Sequence, residues 1–212
     1  MGAHIIPGDV TDEQAILLTD ALSTGYYGAL VAKVRPGSNV AVIGQGPVGR
    51  LAAESAMAMG ASRVFTIDPI ESRREKSCLF GAEPLHPDQA QAYIAEQTKG
   101  LGVDAVIEAV GHGNTVSLAV DLVANGGNVA VLGVIQPGVD IPLHIAQWKC
   151  AAINAVIAPI METWPEIIAL LQAGRIKGNG LFTHHFSLSD GTEAFRMFDA
   201  QEDGVMKIMI TT

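Results

Sequence analysis

Residues 40–49 read Val40-Ala41-Val42-Ile43-Gly44-Gln45-Gly46-Pro47-Val48-Gly49, an apolar run followed by glycines spaced G-x-G-x-x-G. The run is apolar at every position, which suits a strand of a parallel sheet covered on both faces. Pro47 opens the helix that follows, because a first-turn residue does not need its N–H. Each glycine has its own task. Gly44 permits the tight turn, Gly46 lets backbone approach a pyrophosphate, and Gly49 lets the helix press against the strand. The free N–H groups of that helix start turn partial positive charge toward the phosphates.

A glycine pattern alone arises by chance in α/β chains, so its context decides. Asp68 closes the next apolar run, Val64-Phe65-Thr66-Ile67, and stands 19 residues after Gly49. An acid about 20 residues on is placed to accept hydrogen bonds from adenosine ribose hydroxyls. Its charge opposes a 2′-phosphate, so the pattern implies NAD, with NADP the lesser choice. The plainer role for Asp68 is a cap on the next helix. Arg73 lies five residues further on, in reach of the adenosine end, where it would soften the preference for NAD. Arg73 and Arg74 are otherwise ordinary solvated helix residues.

Outward from this point the chain repeats its rhythm. Val103 with Ala105-Val106-Ile107, and Val129-Ala130-Val131-Leu132, are two more apolar runs. Between the runs lie helix candidates over 47–59, 71–80, 88–98 and 114–123, and Pro36-Gly37, Gly60, Gly81, Gly100-Leu101-Gly102 and Asn125-Gly126-Gly127 supply turns. Such units predict an α/β fold, a Rossmann-type doubly wound parallel sheet with flanking helical segments. The ends depart from the rhythm. Helices are expected over 12–22, 25–34, 164–173 and 189–198, with strands over 181–186 and 206–211.

Composition narrows the function classes. The 212 residues carry 49% hydrophobic and 17% charged side chains, which excludes a disordered chain. The net charge is −9, and no basic cluster exists beyond Arg73-Arg74, which argues against nucleic acid. The apolar stretch from Cys150 to Met161 is too short to span a bilayer. The opening Met1-Gly2-Ala3-His4-Ile5-Ile6 lacks the charged start of a leader and the hydroxyl of a myristoylation signal. Cys78 and Cys150 are too few for a disulfide framework and read as two small buried hydrophobes in a reducing cytoplasm.

Several short motifs in order give the chain a resemblance. Leu22-Ser23-Thr24-Gly25-Tyr26, the glycine loop, Glu108-Ala109-Val110-Gly111, Leu132-Gly133-Val134 and Thr183-His184 together resemble the medium-chain zinc-dependent alcohol dehydrogenases, from about Asp12 to Thr211. The resemblance implies a cofactor part of such an enzyme. Residues 1–24 would be a lead-in from the catalytic domain, 25–160 the dinucleotide-binding domain, and 161–212 helices and a strand returning toward the catalytic domain. It further implies that Thr24 touches the nicotinamide and Val48 backs it, that Gly133 and Val134 line the ribose–nicotinamide cleft, and that Val110 and Gly111 border the adenosine. Lys207 falls where the family often has a base reaching the pyrophosphate. A surface lysine is the plain alternative.

Asp20 falls at the family's third catalytic zinc ligand, where one branch has Asp, and a carboxylate oxygen is an ordinary zinc donor. The other ligands, the alcohol pocket and the proton relay belong in that family to an N-terminal domain that this chain begins just after. His184 and His185 point to opposite sides of a strand and do not replace them. In a complete enzyme zinc would act as a Lewis acid on an alcohol, aldehyde or ketone, with hydride passing to or from the nicotinamide. The 212 residues alone are expected not to turn over alcohols. A stand-alone nucleotide-binding module and a zinc-free quinone reductase are the alternatives, and Asp20 weighs against the second. Residues 151–158 form an unguarded edge strand through which the family pairs, so a homo-oligomer is expected.

Overall fold

β1 (Asn39–Ile43), β2 (Arg63–Ile67), β3 (Glu83–Leu85), β4 (Val103–Glu108), β5 (Val123–Val131) and β6 (Ala152–Ala155) hydrogen-bond in the spatial order β3-β2-β1-β4-β5-β6. Each neighbouring pair is parallel. The structure is a computed structural model and describes residues 4–212, the side chain of Asp203 aside. The sequence reading of the opening six residues therefore falls partly outside what is described. The connections carry α3 (Pro47–Ala58), α4 (Glu71–Cys78), α5 (Pro87–Gln97), α6 (Gly113–Leu122) and α7 (Leu143–Trp148). This is the doubly wound sheet expected. The strand order reverses between β1 and β4, and the crevice at the carboxyl ends of those two strands is where such sheets bind ligands.

The apolar runs work because both faces are covered. Along β1, Val40 and Val42 pack with Ala52, Ala53 and Ala56 on one side. Ala41 and Ile43 pack with Ile94, Val116 and Ala119 on the other. A third cluster lies off the sheet. There α1 (Asp12–Leu18), α2 (Ala21–Val31) and α8 (Ile160–Gln172) bury Leu18, Leu22 and Ile167 against Leu51 of α3, together with Leu181 and Met206. Beyond α8, β7 (Phe182–Ser187), α9 (Gly191–Ala200) and β8 (Lys207–Thr211) make a separate two-stranded parallel sheet.

Three expectations are corrected. The first two helices divide at Thr19-Asp20 rather than after Leu22, so Asp20 is the N-cap of α2 with extended φ of −157°. The Thr19 hydroxyl donates to the Ile16 carbonyl at 2.7 Å and closes α1 there. Cys78 and Cys150 are exposed free thiols, not core residues; the first ends a surface helix and the second sits in a turn at φ +50°. Asn125-Gly126-Gly127, expected as a turn ahead of the strand, lies inside the span of β5, opposite a register irregularity between Val103 and Ala105. Finally, β3 and α7 escape a reading by periodicity, since three and six residues are too few to show one.

Candidate functional site

The glycine loop crosses the carboxyl end of β1. Gly44 has φ +88°, a conformation open to glycine and strained for side chains. A Cβ on Gly49 would sit 1.8 Å from the Gly44 carbonyl oxygen, so helix and strand close on each other as the spacing demands. Gly46 is different. A Cβ there would have nothing within 4 Å, and the space before it is open. Gly46 is the N-cap of α3, which has no side-chain cap and no acid in its first turn. By contrast, α1 is capped by Thr11 and α5 by His86. An uncapped helix start with acid excluded is suited to an anion.

Gln45, at the first variable position of the loop, turns inward and is buried. Its side-chain amide donates to the Gly44 carbonyl at 2.9 Å, and its Oε1 accepts the Ser77 hydroxyl of α4 at 3.2 Å. Asp68 is 3% exposed, and its two oxygens accept the backbone N–H groups of Gln45 at 2.7 Å and Ile70 at 2.8 Å. It thus serves the turn before α4 without capping that helix, whose N-cap is Ile70, and ties the turn to the glycine loop. Arg74 donates to the carbonyls of Asp68 and Pro69, both at 2.8 Å, and is spent on the turn. Arg73 pairs with the carboxylate instead. Its guanidinium lies 3.9 Å from Asp68 and lines the adjoining cleft.

That cleft, of about 480 Å³, brings Gly44, Gly46, Asp68, Arg73 and Val110 together. Its far wall includes Ile70, Thr115 and Leu118, which sequence reasoning missed because nothing in their spacing marks them. The loop after β4 is shaped by Glu108, another residue missed in that role. Its fully buried carboxylate accepts the N–H of Val110 and of Gly111, each at 2.9 Å. A Cβ on Gly133 would meet the Gly111 nitrogen at 2.0 Å, so the loops after β4 and β5 touch. Val134 stands exposed beyond them.

A second cleft, about 310 Å³ and mainly apolar, lies on the other side of the loop and joins Asp20, Pro47, Val48 and Lys207 with Phe195 and Phe198 of α9. Thr24 is one helical turn from Asp20 and donates to it at 3.4 Å. Of the site residues expected from the sequence, Gly44, Gly46, Asp68, Arg73 and Val110 line the first cleft and Asp20, Pro47, Val48 and Lys207 the second, while Thr24, Gly49, Gly111, Gly133 and Val134 line neither. A roomier cleft of about 540 Å³ opens at the opposite ends of the strands. It holds none of these residues, and its lysine, Lys149, is occupied by the carbonyls of Val120, Asp121 and Val123.

Comparison with known proteins places the chain in a family. The model of the zinc-binding dehydrogenase family matches residues 47–173, from the first turn of α3 to the end of α8. The chain belongs to that family. It is 40% identical over 192 residues to a probable zinc-binding alcohol dehydrogenase of Mycobacterium tuberculosis, covering 90% of this chain and 50% of that protein. It is 35% identical to an alcohol dehydrogenase of Cupriavidus necator, covering 97% and 58%. Among solved structures, an alcohol dehydrogenase from Thermus sp. superposes with a TM-score of 0.91 at 34% identity, covering 97% of this chain and 60% of that one. The zinc-binding dehydrogenase chain thus spans half to three-fifths of the length of these relatives.

Zinc itself finds too few donors among the described residues, where no group of three or more His, Cys, Asp or Glu side chains could hold a metal ion. Asp20 is exposed, with Thr24 as its side-chain partner. His185 lies against Glu13 at 3.8 Å, and His184 contacts Thr183. The donor set of this zinc-binding dehydrogenase chain does not by itself fit zinc. No described helix is long and apolar enough to cross a membrane.

Proposed function

We propose that the chain is the dinucleotide-holding part of an alcohol-oxidising or carbonyl-reducing oxidoreductase, and that it takes NAD(H) in preference to NADP(H). The observation that carries this reading is the acid-free, uncapped start of α3 behind Gly46, set at the β1/β4 reversal with open space before it. The pyrophosphate lies across that helix start, where backbone N–H groups and the helix dipole hold it. The adenosine enters the cleft of Asp68, Arg73 and Val110, bordered by Gly111. The nicotinamide enters the cleft of Val48, beside Thr24, Gly133 and Val134, with Lys207 toward the phosphates. When bound, the nicotinamide supplies the hydride chemistry, and this chain supplies grip and orientation. Asp68 is the residue against a 2′-phosphate, and Arg73 moderates it.

The division of the chain into 1–24, 25–160 and 161–212 goes with this reading, the outer two parts packing together under α3. So does a small-molecule alcohol, aldehyde or ketone as substrate. A second copy paired through residues 151–158 is proposed as the partner, and the cytoplasm as the setting, where two exposed thiols stay reduced. The test is a pair of dissociation constants, for NADH and NADPH, from the change in nucleotide fluorescence. NADH is expected to bind at least about tenfold more tightly, one full opposing charge contact. Equal or reversed affinities refute the preference, and no binding of either refutes the function.

A further inference from the structure

Arg50 and Glu54 are buried charges one turn apart on α3, the helix whose first turn opens the phosphate loop, and they are 4% and 8% exposed. Neither lines the two clefts at that loop. A buried charge is costly unless it is hydrogen-bonded, so what each of the two holds decides its role. Both hold backbone. The Glu54 carboxylate accepts the N–H of Lys177 at 2.6 Å and of Gly178 at 3.2 Å. The Arg50 guanidinium donates to the carbonyls of Gly180, at 3.1 Å, and Asn179. Burial pushes that guanidinium below the ordinary arginine range while Glu54 opposes the shift, and its Nε is left without a partner. Segment 177–180 is thereby gripped at four consecutive residues.

The grip lies close to Lys207. Leu181 is fully buried, and the next residue, Phe182, is the register partner of Lys207 across β7 and β8. The Thr183 hydroxyl donates to the Lys207 carbonyl at 3.2 Å and accepts the Met206 N–H at 3.0 Å. Lys207 in turn lines the apolar cleft beside Pro47 and Val48, the first turn of α3. The path is closed: from α3 through Arg50 and Glu54 to 177–180, on to Phe182 and Lys207, and back to the start of α3. We propose that Arg50 and Glu54 are positioning residues for the dinucleotide, clamping segment 177–180 so that Lys207 is held over the phosphate-binding turn of α3. This rests on the cofactor reading given above.

The test is a double-mutant cycle on the 212-residue chain, with NADH and AMP as probes and amide hydrogen exchange alongside. Lys207→Ala is expected to weaken NADH about tenfold, as for one charge-assisted contact. Glu54→Gln, which keeps size and an acceptor, should weaken NADH several-fold, and adding Lys207→Ala should then cost less than about twofold. Arg50→Lys should behave likewise. AMP, which fills the adenosine cleft alone, should bind all variants as it binds wild type. In Glu54→Gln, exchange should quicken over 181–187 and 207–211 while β1 and β4 keep their protection. Additive NADH effects, AMP affinity lost in parallel, or unchanged exchange over 181–211 would each overturn the inference alone. Wild type that bound neither NADH nor AMP would overturn the cofactor reading, and the inference with it.

Discussion

The backbone N–H of Gln45 donates to the carboxylate of Asp68 at 2.7 Å, so the turn after β1 is bolted to the end of β2. The acid proposed to face the adenosine is therefore also a structural member of the glycine loop. Ser77 completes the connection by donating to the Gln45 side chain from α4. The proposed selectivity for NAD and the stability of the loop would share one carboxylate.

Asp68→Ala is accordingly expected to do two things at once. It should narrow the gap between NADH and NADPH affinities, and it should lower stability by about 1–3 kcal/mol, because the buried N–H of Gln45 and the part-buried N–H of Ile70 lose their acceptor. Urea unfolding beside the fluorescence titrations checks both. Full stability in the variant would show that the two hydrogen bonds contribute little.

Gly46 and Gly49 should respond to substitution in opposite ways. Gly46→Leu meets open space and extended backbone, so the chain should fold with wild-type stability while NADH affinity drops tenfold or more, by about 1.4 kcal/mol at least. Gly49→Ala drives a methyl into the Gly44 carbonyl and should leave little folded protein. Circular dichroism and solubility separate the two, and a well-folded Gly49→Ala would contradict the packing described.

Arg63 holds Glu83 through two hydrogen bonds of 2.7 Å, with Tyr93 donating to the same carboxylate at 3.2 Å. These contacts keep the Glu83 carboxyl below its ordinary range, the Arg63 hydrogen bond first among them. A carboxylate with a depressed folded pKa stabilises fully above its unfolded value and loses that contribution as pH falls through the folded value. Glu83→Gln should be less stable than wild type at pH 7, and the difference should shrink steadily below about pH 4.5. Urea midpoints across that range provide the measurement, and a difference independent of pH would rule the ion pair out as the cause.

Residues 151–158 place β6 at the open edge of the sheet, with Trp148 at 85% and Ile157 at 96% exposure beside it. A dimer is expected at micromolar concentration by light scattering, and Ala155→Lys should shift it toward monomer by guarding the edge. A monomeric wild type would remove this surface from consideration.

Asp20 offers a single carboxylate where a catalytic zinc needs about three protein ligands. The 212-residue polypeptide is expected to retain no stoichiometric zinc after dialysis and to show no turnover of primary or secondary alcohols with NAD. Metal analysis with steady turnover is the check, and zinc at one per chain would reveal a ligand set not foreseen.

Local sequence determined the central sheet. Runs such as Val40–Ile43 and Val64–Ile67 are apolar on both faces, and only a strand covered twice satisfies that pattern, so β1, β2 and β4 follow from composition and spacing. The three glycines and Asp68 were legible for the same reason: a turn, a close approach and an acid at fixed separation are local demands on the chain. Tertiary structure decided what depends on residues far apart in sequence. That Gln45 turns inward is set by Ser77, 32 positions on. That Arg73 pairs with the Asp68 carboxylate while Arg74 is spent on two carbonyls is set by the path of the turn after Asp68. That Arg50 and Glu54 are buried at all is set by a segment more than 120 residues away. Side-chain direction and burial come from which surfaces meet, and no periodicity within one segment encodes its partner.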